Sequence, residues 1–436
     1  MEPGMNHKVA AKIVLIAFLS VMYVGNSAKA NWPRWRGPLA TGVAPKGNPP
    51  LTWSETENIK WKIAVPGEGT SSPIIWEDKL FFQTAVLTGQ TAPATTGGMS
   101  QTPGGTYSFD LVCLDRTTRE ILWQKAVRQE RPHEGHHRDH GYASYSPVTD
   151  GKLLWASFGS RGLYCFDLEG NIKWSKDLIK METRSGFGEG SSCALAGDAV
   201  IVVLDHEGDS AIFAFNKGTG DLLWRQDRDE RTSWATPVAV EVDGKIQVIT
   251  SATNFVRSYD AATGKVIWQC AGQTENTIPT PVIGFGKVFC TSGFRGSALQ
   301  AIELGHTGDL SGTDAIAWQV NEATPYVPSP LLHGDRLYVC SGNNAVISCF
   351  QASTGQPRYT KQRLDGIKGV YASPVGVADR VYFAGRNGVT VVIKNADILE
   401  VLATNTLDDG FDASPAVVGD NLYLKGRKSL YCIAEE

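Results

Sequence analysis

The densest group of residues that could carry out chemistry is a histidine tract in the first third of the chain. Four of the eight histidines lie in it, and two carboxylates, Glu134 and Asp139, lie among them. Neutral imidazoles are good ligands for zinc, copper and nickel, so the tract is a candidate metal site. Its spacing matches no closed zinc site, and a solvated polar loop is the interpretation we favour. The candidate ligands are His133, His136, His137 and His140.

No other motif indicates a reaction. The sequence has no Gly-rich phosphate loop, no G-x-S-x-G elbow, no paired-carboxylate motif and no C-x-x-C-H haem motif. Most of the eight cysteines recur at equivalent places of different repeats, as Cys113, Cys165, Cys349 and Cys432 do. Such places lie too far apart for disulfides, and we expect buried thiols that pack as small hydrophobic groups.

A hydroxyl residue followed by proline recurs along the chain and sets its architecture. Ser191-Ser192-Cys193 fills the one gap in the series, which makes eight occurrences, mostly 41 to 49 residues apart. A period in this range is typical of a repeat architecture. The seven pairs are Ser72-Pro73, Ser146-Pro147, Thr236-Pro237, Thr280-Pro281, Ser329-Pro330, Ser373-Pro374 and Ser414-Pro415.

Each unit reads as four short strands. An apolar run follows the proline, then a tight turn such as Asp150-Gly151, a second apolar run, a loop, a strand ending in Asp and a strand carrying Trp. In Tyr259–Trp268, Gly264 permits the reversal between the last two strands. Four hairpin-linked strands make one propeller blade, so we predict an all-β, eight-bladed β-propeller of four-stranded antiparallel blades.

The ring is expected to close through its termini. The chain ends after three strands of the eighth blade, and the run 58–65, which contains Trp61, has the apolar alternation of the missing strand. Closure of this kind removes exposed edges. We therefore divide the chain into a signal peptide (1–30), an N-terminal extension (31–57) and one propeller domain (58–436).

Three insertions interrupt the regular pattern. Leu87 to Thr106 separates the second and third strands of blade 1, and Glu130 to Gly141 joins blade 1 to blade 2. In a four-stranded blade both connections emerge on one face, whereas Gly305 to Asp314 extends a turn on the other. Functional elaboration is usually carried by loops on a rigid scaffold, so the face with two insertions is the expected working face.

The residues just before each hydroxyl-proline phrase should ring an axial funnel on that face. They mix charge with aromatic side chains, which a polar ligand site requires, although any propeller axis is polar and water-filled. Arg231 and Trp234, on a short loop, are the strongest individual candidates. The full set is Glu68, His140, Tyr142, Arg184, Glu189, Arg231, Trp234, Asn276, Tyr326, Lys368 and Asp412.

The recurrent tryptophans are interpreted as structural. A Trp at one fixed place per blade packs between neighbouring blades and needs a hydrogen-bond acceptor for its indole N–H. The predicted docking residues are Trp61, Trp123, Trp174, Trp224, Trp268 and Trp318.

The N-terminus has the features of a secretory signal. Lys8 and Lys12 precede a short apolar run, and Ala28-Lys29-Ala30 follows as an A-x-A cleavage site. We expect cleavage after Ala30, a periplasmic or secreted protein, no transmembrane span after cleavage and a monomer.

The formal net charge of −4 argues against nucleic acid as the main partner, because phosphate binding needs a basic stripe.

The phrase YDAATGKVIW resembles the tryptophan-docking repeat of the pyrroloquinoline-quinone-type propellers. WPRWRGP (32–38) and YASYSPVTDG (142–151) resemble secreted quinoprotein-like proteins, usually named by likeness to the BamB outer-membrane assembly factor. The resemblance implies a non-enzymatic scaffold for an envelope or extracellular protein or a polysaccharide-like ligand, without a cofactor. Its alternative implication is a dehydrogenase with pyrroloquinoline quinone and calcium in the funnel. This chain lacks the adjacent Cys-Cys pair of many such enzymes and the lipidated Cys of BamB.

Overall fold

The computed structural model describes residue 1 and residues 30–90 and 96–435. The signal-peptide prediction, apart from Met1 and Ala30, lies outside the described residues. The described chain is an all-β, eight-bladed propeller, as predicted, and each blade is built on four antiparallel strands. Three short 3-10 turns, Gly159–Arg161, Arg184–Gly186 and Gly342–Asn344, are the only helical segments in the part of the chain that the structure describes.

The strands follow the predicted order along the chain. Two precede the ring, β1 (Val43–Ala44) and β2 (Ile59–Ala64). Blade 1 and its insertions contain β3 (Ile74–Trp76), β4 (Lys79–Gln90), β5 (Thr96–Gly97), β6 (Ser100–Gln101), β7 (Gly105–Asp115), β8 (Ile121–Glu130) and β9 (His136–His137). Blade 2 contains β10 (Val148–Thr149), β11 (Leu153–Ser157), β12 (Leu163–Asp167) and β13 (Ile172–Lys176). Blade 3 contains β14 (Ala194–Ala196), β15 (Ala199–Leu204), β16 (Ala211–Asn216) and β17 (Leu222–Asp227).

The second half of the ring repeats this plan. Blade 4 contains β18 (Val238–Val242), β19 (Lys245–Ser251), β20 (Val256–Asp260) and β21 (Val266–Cys270). Blade 5 contains β22 (Val282–Gly284), β23 (Lys287–Ser292), β24 (Ala298–Glu303), β25 (Gly308–Asp309) and β26 (Ile316–Val320). Blade 6 contains β27 (Leu331–His333), β28 (Arg336–Ser341), β29 (Val346–Gln351) and β30 (Pro357–Arg363). Blades 7 and 8 contain β31 (Val375–Val377), β32 (Arg380–Ala384), β33 (Val389–Lys394), β34 (Val401–Thr406), β35 (Ala416–Val418), β36 (Asn421–Lys425) and β37 (Ser429–Ile433).

The termini meet in blade 8. β2 pairs antiparallel with β37, placing Trp61 opposite Cys432, so the strand order is β2-β37-β36-β35. The N-terminal strand thus supplies the outermost strand of the last blade, and the ring has no open seam between its first and last blades.

The middle strands of a blade are covered on both sides by neighbouring blades, so they are apolar throughout. All six residues of Ala199–Leu204 are buried, whereas most of the outermost strand Leu222–Asp227 is exposed. Hydrophobic clusters therefore lie between successive blades and not at the axis. All eight cysteines are buried free thiols within these layers, and burial raises the pKa of the Cys193 thiol to about 12.

The tryptophans dock blade to blade. The indole Nε1 of Trp224 donates to the Ala261 carbonyl of the next blade at 2.8 Å, and its ring lies against Gly264, where a Cβ would approach ring atoms to 2.6 Å. Gly264 is therefore required both for its φ of +73° and for this contact. Trp61, Trp123, Trp174 and Trp318 donate in the same way to Arg116, Leu168, Lys217 and Ala352.

Trp268 differs from the other docking tryptophans. It is fully buried, but its Nε1 has no hydrogen-bond partner among the described residues. The next blade has the insertion 305–314 where the other blades have a short turn, and β25 of that insertion pairs with β21 beside Trp268. The expectation of an acceptor for every docking indole is wrong here, because strand pairing replaces the turn that would supply the carbonyl.

The two insertions of blade 1 lie on one face, called the upper face below. Their strands pair, with Ser100 opposite His137 and Gln101 opposite His136, in the small sheet β5-β6-β9. The opposite, lower face has the turns between first and second strands. No helix in the described part of the chain is both long and apolar enough to cross a membrane.

Candidate functional site

A closed belt of hydroxyl groups surrounds the propeller axis. In each blade the backbone N–H of one Ser or Thr donates to the hydroxyl of its counterpart in the next blade, at 2.8 to 3.1 Å. The last bond, from Ser414 to Ser72, closes the circle. This is the role of the hydroxyl-proline phrase: it fastens the innermost strands around the axis. The members are Ser72, Ser146, Ser192, Thr236, Thr280, Ser329, Ser373 and Ser414.

The N-terminal extension seals the lower end of the axis. Arg36 is only 2% exposed and donates to the carbonyls of Pro330 at 2.8 Å and Pro374 at 2.7 Å, from two different blades. Burial lowers the pKa of Arg36 to about 9. Trp32 pairs through its backbone with Ile75 of blade 1, while β1 pairs with β31 of blade 7. The segment therefore bridges distant parts of the ring.

Trp35 forms the floor between the two ends of the axis. It lines a small void of about 30 Å³ beside the inner strands of blades 2 to 4. It also lines a cavity of about 580 Å³ on the upper side of the belt. Trp35 therefore lies between the upper cavity and the lower end of the axis.

The upper cavity combines aromatic and polar walls. Belt hydroxyls, arginines, histidines and two aspartates provide the polar lining. Ring faces of several blades provide the apolar lining, and two of these rings, Phe294 and Tyr326, stack with centroids 5.2 Å apart. The aromatic residues are Trp35, Phe187, Trp234, Phe294, Tyr326 and Tyr371.

The loop 131–141 reaches across the funnel to blade 7. Asp139 accepts a hydrogen bond from Nη2 of Arg386 at 2.8 Å and one from the Tyr371 hydroxyl at 3.4 Å. Burial alone would raise the pKa of Asp139, but the hydrogen bond and charge of Arg386 hold it below its usual value. Nε of Arg386 also donates to Asp412 at 2.7 Å, and Arg427 donates to the other oxygen of Asp412. This network fixes one wall of the cavity.

Six of the eleven residues predicted to ring the funnel line this cavity. Trp234 is held by a 2.7 Å hydrogen bond from its Nε1 to the Gly188 carbonyl. Arg184 donates to Glu275 at 2.8 Å and to Asn276 at 3.1 Å. The six residues are His140, Arg184, Trp234, Asn276, Tyr326 and Asp412.

Two predicted funnel residues lie between blades and not at the cavity. The Tyr142 ring packs against His136 and Tyr107, with centroids 4.6 and 4.8 Å away. Glu189 accepts hydrogen bonds from the Tyr145 hydroxyl at 2.6 Å and the Ser160 N–H at 2.8 Å. The loop side chains alternate in direction, so residues near a belt position face either the axis or the neighbouring blade.

The remaining three, Glu68, Arg231 and Lys368, are exposed and are not part of the cavity lining. The backbone of Glu68 pairs with Ala85, and the N–H of Lys368 donates to Asn387. Their backbone positions are those expected, but their side chains lie outside the cavity lining. Arg231, a leading candidate from the sequence, lies outside the lining, whereas its loop neighbour Trp234 lies inside.

The four histidines of the tract point to different neighbours. Nε2 of His133 lies 2.7 Å from the Met181 carbonyl, and Nδ1 of His136 lies 2.8 Å from the His137 carbonyl. The His137 ring packs on Phe187, and Nδ1 of His140 lies 2.7 Å from the Gly141 carbonyl. Burial lowers the pKa of His140 to about 4, so its imidazole is neutral at pH 7. The tract does not place its four rings around one point.

One group of ligand-type atoms does come together beneath the tract. Atoms of His133, Glu134 and Glu189 lie within 4.8 Å of one another. Each already has protein partners: Glu134 accepts from the Thr183 N–H and hydroxyl, and Glu189 accepts from the groups described above and from Arg161. These contacts explain the cluster as a polar junction between blades 2 and 3.

Sequence reasoning missed Trp35, Arg138, Asp139, Phe294, Arg295 and Tyr371 as members of the cavity lining. Trp35 lies in the extension, outside every repeat, so no repeat position indicated it. Phe294 and Arg295 lie on the connection between the second and third strands of blade 5, which shares the upper face. A search of both upper-face connections of each blade would have found them.

The carboxylates of the described cavity lining do not suit a calcium ion. Calcium takes six to eight oxygen ligands, usually including several carboxylates. The only carboxylates of the described lining, Asp139 and Asp412, are both bound to Arg386, which also supplies a competing positive charge. These carboxylates therefore belong to an ion-pair network and are not arranged as calcium ligands.

Residues 108–361 match the family described as outer membrane protein assembly factor BamB. BamB from Moraxella catarrhalis superposes with a TM-score of 0.52 at 14% identity, covering 80% of this chain and 98% of that one. The quinohemoprotein alcohol dehydrogenase from Comamonas testosteroni gives 0.63 at 9% identity, covering 94% and 82%. A europium-containing methanol dehydrogenase gives 0.61 at 10% identity, covering 92% and 90%.

No protein of curated function matches the chain. At these identities the solved structures show a shared propeller fold and nothing about activity. The family match extends over more than half of the sequence, from blade 1 into blade 6. The chain belongs to the family described as outer membrane protein assembly factor BamB.

Proposed function

We propose that the protein is a non-enzymatic binding propeller whose upper axial cavity holds the end of a saccharide-like ligand. The observation that carries the proposal is the upper cavity of about 580 Å³ with aromatic faces and polar groups on its walls. Sugar rings present an apolar face that packs on aromatic rings and a rim of hydroxyl groups that needs donors and acceptors. The cavity offers both.

The choice of a saccharide over a protein partner rests on shape. A stable protein interface covers about 800 Å² on each partner, whereas a cavity of about 580 Å³ encloses a small polar group. The family is named for an assembly factor, and capture of an envelope protein by the upper face is the competing outcome. We place the binding event in the periplasm or outside the cell. Asn31 and Trp32, which follow the predicted cleavage site, already contact blade 1.

Ligand titration tests the proposal. Trp35 and Trp234 line the cavity, so a bound saccharide should change the intrinsic fluorescence. Tyr326→Ala should weaken binding about tenfold or more, because it removes one face of the stacked pair with Phe294. Phe285→Ala is the matched control, since Phe285 is 50% exposed on a turn of the lower face.

Two results would overturn this function. One is the absence of saccharide binding together with recovery of a defined envelope protein that depends on the blade 1 insertions. The other is a rise in Tm with pyrroloquinoline quinone plus calcium, accompanied by dye-linked alcohol oxidation, since a ligand that binds the folded state stabilises it.

A further inference from the structure

The charges around the upper cavity do not balance. Three arginines, Arg138, Arg184 and Arg295, line it from the blade 1 loop, the blade 2–3 connection and blade 5. Two aspartates line it as well, but both are engaged by Arg386, and Asp412 also by Arg427. The lining aspartates are therefore neutralised by arginines that do not themselves belong to the lining.

One carboxylate serves two of the lining arginines. Glu275 lies 2.8 Å from Nη1 of Arg184 and 3.9 Å from Nη1 of Arg295, so it makes one close pair and one loose pair. The side chain of Arg295 is 69% exposed and stacks over Phe294 with its guanidinium 5.2 Å from the ring centroid. The Arg138 guanidinium, also exposed, has no ion pair or hydrogen bond with any described residue.

In total, five guanidinium groups on and behind the cavity wall face three carboxylates. Histidines add no charge at neutral pH, because burial lowers the pKa of both His137 and His140. The described wall thus has an excess of two positive charges, located on the two arginines with the weakest protein contacts. An arginine without a close protein partner is suited to bind a carboxylate or sulfate in a bidentate manner.

Below the arginines, the belt supplies further donors. Each belt hydroxyl accepts one backbone N–H, which leaves its own O–H free to donate. Ser72, Ser146 and Ser192 are three of the five belt members that line the cavity. A cation-rich wall above a floor of hydroxyl donors favours a ligand rich in acceptor oxygens.

We propose that the ligand of the upper cavity is an acidic saccharide, one that carries carboxylate or sulfate groups, with its anionic groups at Arg138 and Arg295. The proposal rests on the proposed saccharide-binding function and names its substrate class. Uronate carboxylates and sugar sulfates present the same chemistry to an arginine, so both sources enter the test.

The test compares saccharides that differ only in charge. Trigalacturonate is titrated against its methyl ester, and a sulfated galactan trisaccharide against its desulfated form, by calorimetry at low salt. We expect at least one acidic form to bind about tenfold more tightly than its neutral partner, with the advantage shrinking as salt screens the charges. Arg138→Gln combined with Arg295→Gln should abolish the advantage. Arg363→Gln, on the exposed outer strand of blade 6, should leave it intact.

The outcomes separate the two proposals. Equal binding of acidic and neutral forms overturns the acidic-ligand inference and leaves saccharide binding standing. Binding by neither form overturns saccharide binding and the inference with it. An acidic preference that survives in the Arg138 and Arg295 double variant overturns the assignment of these two residues.

Discussion

The two ends of the propeller axis use the same side-chain type in opposite ways. At the lower end Arg36 is buried, and its guanidinium donates to carbonyls of blades 6 and 7 and of its own segment. At the upper end Arg138 is exposed and has no acceptor among the described residues. A guanidinium surrounded by fixed acceptors stabilises the fold, whereas one left without acceptors beside a cavity retains its capacity for a ligand.

This difference separates structural from functional residues more sharply than residue type does. Arginine and tryptophan occur at both ends of the axis. At the lower end Arg36 and Trp32 bond to other parts of the chain, while the upper end combines a fixed wall, Asp139–Arg386–Asp412, with Arg138, whose guanidinium has no acceptor among the described residues. We therefore expect substitutions below the belt to lower stability and substitutions above it to lower ligand affinity.

The largest expected effect is at the lower end. Arg36→Met removes a donor from the buried carbonyls of Pro330 and Pro374 and from the part-buried carbonyl of Thr41, and should lower the free energy of unfolding by about 3–5 kcal/mol. Urea unfolding measures this. Arg363→Met, on an exposed outer strand, should change it by less than about 0.5 kcal/mol. Equal stability of the two variants would contradict the conclusion that the lower-end arginine stabilises the fold.

The belt should give the next largest effect. Ser329→Ala leaves the buried N–H of Thr280 without its acceptor and should cost about 1–3 kcal/mol in unfolding free energy. Ser329→Thr is the matched control, because Thr236 and Thr280 occupy the same place in their own blades. A Thr variant as unstable as the Ala variant would show that packing, not the hydrogen bond, is responsible.

Trp35 should couple the two ends. Trp35→Ala removes the cavity floor and should weaken ligand binding about tenfold, which corresponds to about 1.4 kcal/mol. Trp76→Ala, which removes a half-buried tryptophan that packs on Gly151 near the lower face, should leave affinity unchanged. Comparable affinity losses in both variants would point to a general loosening of the ring.

A further effect is a dependence of stability on pH. The folded-state pKa of His140, lowered to about 4, lies below the ordinary value of 6.5, so the unfolded chain binds more protons between these pH values. Stability is thus lost as pH falls from 6.5 to 4, with a contribution from His140 of roughly 3 kcal/mol. His140→Gln should reduce this acid loss, and His306→Gln, at an exposed turn, should not. Identical losses of stability at acid pH in the two variants would contradict the assignment of this effect to His140.

The repeat pattern was sufficient to predict the ring and its tryptophan docking, but not the hydrogen bonds of the belt. The hydroxyl-proline phrases located all eight blades because their residues form the belt, and the terminal strand was needed to complete blade 8. Trp224 behaved as expected for the same reason: its partner sits at a fixed place in the next repeat. Trp268 lacks such a partner, because the insertion 305–314 replaces the turn that carries the acceptor in the other blades.

The site was predicted less completely, since its residues belong to loops and to the extension. Trp234 and Arg184 precede belt residues in the sequence, and this position correctly indicated that they line the cavity. The same position did not indicate that Tyr142 turns toward the neighbouring blade. Arg138 and Asp139 were visible only as neighbours of histidines, and the contact of Asp139 with Arg386 spans 247 residues. Long-range ion pairs of this kind have no local sequence signature.

The most direct test of the central claim is a crystal structure with a bound acidic trisaccharide. The account predicts density in the upper cavity, above Trp35 and the hydroxyl belt, with an anionic group at Arg138 or Arg295. Density confined to the outer strands or to the lower face, with the cavity containing only water, would contradict it.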